Sequence, residues 1–403
     1  GYYQFDNTFE NHFDGGTYPY YKFDADELPN LNLKPEKQHS IEVGLDMRFL
    51  KNRLGFDFAW YKTNTKNQIL ALPIASESGV SKRWINAGNI QNQGIEFLIT
   101  ATPIETKGWR WDLSFNLTRN TNKIISLTDG VEKYQLVGGG TDTQAWATVG
   151  GAYGDIYTSY GYKRNGKGEK LLNTDGSYIR SNESVKIGSL QPKFLWGATT
   201  SVSWKGITLN TVIDARFGGD IFSASYYYGM NSGNIKSSLV GRDTQYGGLP
   251  RSLTDGTDRV VNDGIIPEGV FQPGSVIGGQ DVSGMSYQAA YEQGLVNPLS
   301  TYKYYDNVYG WSGGIREEGI MKCSWIALRE ISIHWQLPKK WVNKAYMQNV
   351  SIGLMARNVG FLYNSLPDNI HPEGLNTTYS SECMESGGAV FSRNIGFNVN
   401  VSF

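Results

Sequence analysis

The sequence predicts an all-β fold, a transmembrane antiparallel β-barrel, and three observations predict it. Apolar and polar residues alternate with a period of two in segment after segment. These segments run roughly 10 residues, near the ~9–11 that cross a bilayer as a tilted strand. Short turns alternate with long connections, as in a barrel whose two rims face different compartments.

Composition agrees. Of 403 residues, 39% are hydrophobic and 19% charged, and the formal net charge of -1 offers nothing to hold nucleic acid or another polyanion. The 48 Gly, 25 Tyr and 11 Trp favour β-structure with large irregular loops. No apolar run approaches the ~18 residues of a transmembrane helix, so a membrane would be crossed by strands. The neighbourhood of Gly1 is polar and tyrosine-rich, and the chain is expected to start downstream of its targeting sequence.

Taken in order, residues 1–35 lack sustained periodicity and read as a surface loop. Its Asp24, Asp26 and Glu27 are either a calcium site or a solvated acidic loop. A hairpin over 40–62 follows. Ile41, Val43, Leu45, Met47 and Phe49 form one face, the chain turns at Lys51-Asn52-Arg53, and Leu54, Phe56, Phe58 and Trp60 continue that face. The second strand extends through 67–74, and 76–84 is a loop. The next hairpin pairs 92–102, with Ile95, Phe97, Ile99 and Ala101 outward, with a strand where Trp109, Trp111, Leu113, Phe115 and Leu117 alternate with Arg110, Asp112, Ser114, Asn116 and Thr118. Residues 119–151 are a long connection, in which 143–148 reads as one helical turn. A weaker pair, 155–162 and 169–179, surrounds the turn signal Asn165-Gly166-Lys167-Gly168.

Periodicity returns at 194–204, turns at Lys205-Gly206 and runs back through Ile207, Leu209, Thr211, Ile213, Ala215 and Phe217. The connection 218–319 is far longer than the ~12–15 residues at which a structureless loop needs a functional reason. It is aromatic, and its 283–294 stretch starts with Ser, ends with Gly and predicts a short helix. The last strands are 327–337, 350–359 and 390–403, joined by a compact connection at 338–348 and a long one at 360–389. Counting back from a periplasmic C-terminus gives about eleven strands, the first running downward, and the parity is taken to need the pair near Asp155. Single-chain bacterial barrels have an even number, and an open edge in lipid strands a row of amides at several kcal/mol each. The chain is therefore expected to be part of a larger barrel.

Leu33-Lys34-Pro35-Glu36 leading into Ile41-Glu42-Val43-Gly44-Leu45-Asp46, then Asn52-Arg53-Leu54 and Trp60-Tyr61-Lys62-Thr63, resembles the barrel of SusC/RagA-like TonB-dependent transporters of Bacteroidota. So do Asn86-Ala87-Gly88-Asn89-Ile90, Asn92-Gln93-Gly94-Ile95-Glu96, Ile187-Gly188 with Pro192-Lys193-Phe194, Phe217-Gly218-Gly219-Asp220-Ile221, and the terminal Phe403. Two departures stand out: Pro35 where the family usually has Trp, and His371-Pro372-Glu373 for its usual Asp-Pro-Glu. The resemblance implies the C-terminal half of a barrel of about 22 strands, with the plug, the TonB box and the first strands in an N-terminal half that has no counterpart here. It further implies active import of oligosaccharides or oligopeptides across the outer membrane. TonB would act through the other half, and a SusD-like surface lipoprotein would close as a lid.

For substrate contacts, Tyr226, Tyr227, Tyr228, Tyr304, Tyr305 and Trp311 either stack on cargo or pack the long loop against itself or the lid. Arg110, Asp112, Asp214, Arg216, Glu330 and Arg357 fall on predicted lumen faces, as cross-strand or plug partners or as substrate contacts. No catalytic, metal or cofactor site is predicted. Gly310-Trp311-Ser312-Gly313-Gly314 matches a nucleophile-elbow pattern but lacks the helix that elbow requires, and His12, His39, His334 and His371 lack metal spacing. Cys323 and Cys383 are the only cysteines and both fall near the predicted extracellular rim, where one disulfide is possible. Two rival readings stay open: a passive porin, and a soluble secreted glycan-binding β-protein whose apolar rows meet in a core.

Overall fold

The computed structural model describes residues 9–12, 20–23, 27–73, 80–137, 143–253, 256–257, 259–374, 384–387 and 392–403. Nine long strands make one antiparallel wall. They are β1 (Lys37–Phe49), β2 (Leu54–Pro73), β3 (Lys82–Glu105), β4 (Trp109–Ser126), β5 (Phe194–Trp204), β6 (Ile207–Phe217), β7 (Trp325–Gln336), β8 (Asn349–Asn364) and β9 (Asn394–Ser402). Each pairs with the next in sequence, and the short strand Glu27–Leu28 lies parallel against β3. Within the described residues the sheet is open, with β1 and β9 at its edges.

Alternation decides which face is which. Along β1, Ile41 is 64% exposed, and on β9 Ile395 and Phe397 are 80% and 78% exposed. None of these residues joins a hydrophobic cluster among the described residues. A soluble sandwich would have packed these rows together; a continuous exposed apolar face of this kind belongs against lipid. From Ile41 to Phe49, eight steps of about 3.4 Å on a strand tilted about 40° give an apolar band about 20 Å tall, near the ~25 Å of outer-membrane barrels. Aromatic pairs flank the band. Trp109 sits 5.5 Å from Trp204 and Trp335 5.9 Å from Trp341 at the lower rim, and Phe194 stacks 4.9 Å from Phe217 at the other.

The four short connections lie together at the lower rim. At Lys205-Gly206 both residues have positive φ (44° and 88°), as a two-residue hairpin turn matched to strand twist requires. A Cβ on Gly206 would meet the Gln336 carbonyl oxygen at 2.9 Å, so that position needs glycine twice over. The 338–348 connection holds a short helix, Lys339–Val342.

The wall has nine strands where eleven were expected, because β4 pairs directly with β5. The 155–162 and 169–179 pair is not in it. Tyr153–Thr158 instead joins Lys133–Val137, Thr143–Thr148 and Val185–Ser189 in a separate four-stranded sheet. Residues 169–179 hold only Leu171–Leu172, parallel to Val270–Phe271, and isolated bridges. Parity never depended on that pair, since a hairpin adds one strand in each direction. The helical turn expected at 143–148 is a strand whose residues alternate buried and half-buried. The predicted helix within 283–294 is present as Tyr287–Glu292, capped by the Ser286 hydroxyl accepting from Ala289 N.

The long connections fold together on the upper rim. Helix α1 (Ala224–Ser232), α2 (Tyr287–Glu292) and α3 (Thr301–Tyr309) share one core with the 162–178 segment, built on Phe222, Tyr227, Phe271, Leu172 and Ile315. The last connection joins through Met384–Glu385, parallel to Phe222 and Ser223, where the Ser223 and Ser225 hydroxyls donate to the Glu385 carboxylate.

The nine-strand order is testable by cross-linking. Ser114 on β4 faces Thr199 on β5, both on the polar face. Ser114→Cys with Thr199→Cys should form a disulfide under mild oxidation in the complete receptor, read as a mobility shift without reductant. With two further strands between them, their Cα atoms would stand about 14 Å apart, twice the ~7 Å limit, and no bridge would form.

Candidate functional site

Two regions bear on cargo: the polar face of the wall and the folded body above it. On the wall, the sequence-predicted charges are mostly engaged with one another. Arg110 reaches Glu105 at 2.6 Å and Asp112 at 2.7 Å near the lower rim. Glu330 accepts from Arg357 at 2.9 Å across the β7–β8 register. Arg216 donates to the backbone carbonyls of Leu190 and Gly218, tying the foot of the upper-rim segments to β6. Asp214 and Arg216 also line a recess of about 490 Å³ together with Ser114, Asn116 and Trp325.

Asp214 has a partner that the alternation hides. Arg329 falls in the same row as Ile331 and Ile333, which would aim it at lipid. A bulge opposes Val212 with Glu330 and Ile213 with Leu328, leaving Arg329 as the extra residue, and its side chain turns inward. It donates to Asp214 at 2.6 Å and to both carboxylate oxygens of Glu373, one at 2.8 Å, and lies 5.0 Å over the Trp325 ring. Glu373 belongs to the last long connection, so this guanidinium fastens that connection to the wall. Cys323 Sγ donates to the Pro372 carbonyl at 3.3 Å, and His371 packs edge-on against Phe361 at 5.1 Å, completing the fastening. The readable signal was Arg329 itself: a cation on the lipid row costs ~2–4 kcal/mol at mid-bilayer, which argues for a local change of register.

In the upper body, the aromatic candidates separate. Tyr227 is 0% exposed and donates its hydroxyl to Val308 O at 3.0 Å; Tyr305 is buried and donates to Val240 O at 2.8 Å. Both are core residues with no surface to offer cargo. Tyr226 and Tyr304 are half-buried against the same core, with burial pushing the Tyr304 phenol up to about 12. Tyr228 is half-buried but packs its ring tilted against Trp311, ring centroids 4.5 Å apart, and Trp311 is 73% exposed. Arg316, buried beneath, lies 4.7 Å over Tyr227 and donates to Trp311 O at 2.9 Å, holding the pair in place. Cys323 is a free, buried thiol; its proposed partner Cys383, like Asp24 and Asp26, lies outside the described residues. Ser312 follows Trp311 in a turn, and the next helical element is only the single 3-10 turn Arg316–Gly319, not the helix a nucleophile elbow requires.

Sequence reading missed a cavity of about 860 Å³ in this body, lined by Tyr162, Arg164, Lys186, Glu183 and Glu317 among others. Arg164 pairs with Glu317 at 2.8 Å and Lys186 with the buried Asp155 at 2.6 Å. These residues had been assigned to strands or to featureless loop, and nothing local marks them as neighbours across some 150 positions.

The fastening of the last connection makes two predictions. Arg329→Gln should free 365–374 to limited proteolysis at a cost of about 1–3 kcal/mol while the wall stays folded, since it strands two carboxylates. Arg329→Lys should restore little, because an ammonium cannot span both oxygens. Burial, aided by the Arg329 charge and opposed by Glu373, holds the His371 imidazole below its usual range. The released segment thus binds a proton more readily than the fastened one, so the fastening is at full strength above pH ~6.5 and weakens below it. His371→Asn should flatten that pH dependence of proteolysis.

The chain is similar to known proteins in a consistent direction. The family model for the TonB dependent receptor-like β-barrel matches residues 2–212. The chain is 29% identical to TonB-dependent receptor P3 of Formosa agariphila over 237 residues, which is 53% of this chain and 24% of that receptor. It is 29% identical to TonB-dependent receptor SusC of Bacteroides thetaiotaomicron over 240 residues, 56% of this chain and 24% of SusC. Among solved structures, the RagAB peptide transporter aligns over 98% of this chain and 38% of its own, with a TM-score of 0.64 and 18% identity, a likeness of fold. The match to the curated relatives thus spans about a quarter of their length. With the family model covering just over half of its 403 residues, and with an open wall of lipid-facing strands, the chain belongs to the TonB-dependent receptor-like β-barrel family.

Proposed function

We propose that this chain supplies wall and upper loops to an active importer of oligomeric nutrients, glycans or oligopeptides, in the outer membrane. The observation that carries the reading is a wall that is apolar toward lipid and polar within, joined at one rim to a folded aromatic body. Such a wall needs the N-terminal half of the same transporter, with its plug and first strands, to close. TonB, energised from the inner membrane, would act through that half. A SusD-like lipoprotein would cover the upper body and trap cargo between lid, loops and plug. The relative SusC and the RagAB peptide transporter support this partnership by likeness. The chain itself performs no chemical step. Of the aromatic candidates, Tyr228 and Trp311 retain surface for cargo.

Uptake by whole cells tests the reading. Cells lacking the gene should lose accumulation of the fluorescent oligosaccharide or oligopeptide that wild-type cells take up. A protonophore should abolish it equally in wild-type cells, and a surface lipoprotein should copurify with the receptor. Uptake that persists after the gradient collapses would instead mark a passive pore.

A further inference from the structure

A second cavity, about 520 Å³, lies between the C-terminal end of α1 and one side of α3. Helical spacing puts Tyr302, Tyr305 and Asp306 on one side of α3. Tyr305 is buried there with its hydroxyl committed to Val240 O, whereas Tyr302 is 80% exposed beside the cavity. Two of the charged groups lining the cavity already carry hydrogen bonds. Arg242 donates from Nε to Ser238 O and from Nη2 to Gly233 O, and Asp263 takes both Arg251 bonds at 2.9 and 3.1 Å. What remains is the Asn231 amide, the Ser232 hydroxyl and the Asp306 carboxylate, none with a side-chain hydrogen bond among the described residues.

That inventory selects a ligand. Arg251 neutralises Asp263, and Arg242 and Asp306 leave one charge of each sign on the lining, so nothing there favours a ligand of net charge. A peptide adding as an extra strand would need a free edge, but the strand carrying Asp263, Val260–Ile265, is paired on both sides at Gly264. An aromatic face beside a carboxylate, an amide and a hydroxyl instead suits a ring with one apolar face and several hydroxyl donors. A volume of about 520 Å³ is within the ~300–1,000 Å³ of ligand sites. We propose that this cavity is a subsite for a neutral sugar unit of an oligosaccharide, Tyr302 stacking on the ring and Asp306, Asn231 and Ser232 meeting its hydroxyls. The proposal rests on the import reading for its biological setting, and names the cargo class.

The test is titration of the purified full-length receptor with maltohexaose, cellohexaose, mannohexaose and xylohexaose, with hexagalacturonate and a lysine-rich hexapeptide as contrasts. At least one neutral hexasaccharide should bind. Tyr302→Ala should weaken it ~10-fold or more and Asp306→Asn several-fold, while Tyr302→Phe stays within about twofold. Heat-modifiable gel mobility confirms that each variant is folded. The proposal is overturned if no neutral hexasaccharide binds, if binding ignores both Tyr302→Ala and Asp306→Asn, or if the acidic probe or peptide is what depends on Tyr302. Energised uptake that survives such a result would sink the subsite and leave the importer standing. Tyr302-dependent binding without energised uptake would do the reverse.

Discussion

A peptide group inside hydrocarbon has no water to bond, and every other feature of this chain is arranged around that constraint. The antiparallel ladder from β1 to β9 gives each interior strand a neighbour on both sides. The two outermost strands are satisfied on one side only, which in lipid would cost several kcal/mol for each amide left facing the hydrocarbon. A wall of nine strands is therefore meaningful as an arc of a closed barrel. The same constraint explains the side chains. With the backbone satisfied in the plane of the sheet, the outer row is free to be uniformly apolar and the inner row to carry paired charges such as Glu330 and Arg357.

How much of this was legible follows from how local each signal is. The wall strands were read because a period of two needs only a strand's own residues, as in Ile41 through Phe49. The short turns were read for the same reason. The upper body was not, because its order comes from contacts distant in sequence. Thr143–Thr148 alternates too weakly to announce a strand, and its partners Lys133–Val137 and Tyr153–Thr158 decide it. Residues 169–179 have a good turn signal at Asn165–Gly168, yet they dock Leu171 and Leu172 against Val270 and Phe271, about a hundred positions away. Among the site residues, the paired lumen charges were found by alternation. Arg329 was lost because a bulge breaks alternation where it matters. Tyr227 and Tyr305 were singled out for their aromaticity, which serves a core as well as a binding face.

The upper body is therefore better regarded as a small folded unit than as loops. Three connections contribute to one core, and two devices hold it to the wall and to itself. Arg329 clamps Glu373 beside Asp214, and Glu385 gathers the hydroxyls of Ser223 and Ser225. A body so fastened presents fixed surfaces, the Tyr228–Trp311 pair and the Tyr302 cavity among them, in place of a mobile fringe. That rigidity is what allows side chains from α1 and α3 to form a site, since neither helix could hold its geometry alone in water at nine residues.

One row of each wall strand meets lipid while the other meets water, with the edges completed by further polypeptide. β9 tests it most directly, being the edge strand. Single cysteines placed along residues 395–400 of the complete receptor in native membranes, labelled with a bimane fluorophore and exposed to brominated lipid or to an aqueous thiol reagent, report both environments. Strict alternation is expected: lipid quenching at Ile395, Phe397 and Val399, and aqueous reactivity at Gly396, Asn398 and Asn400. Equal aqueous reactivity along both rows would contradict it.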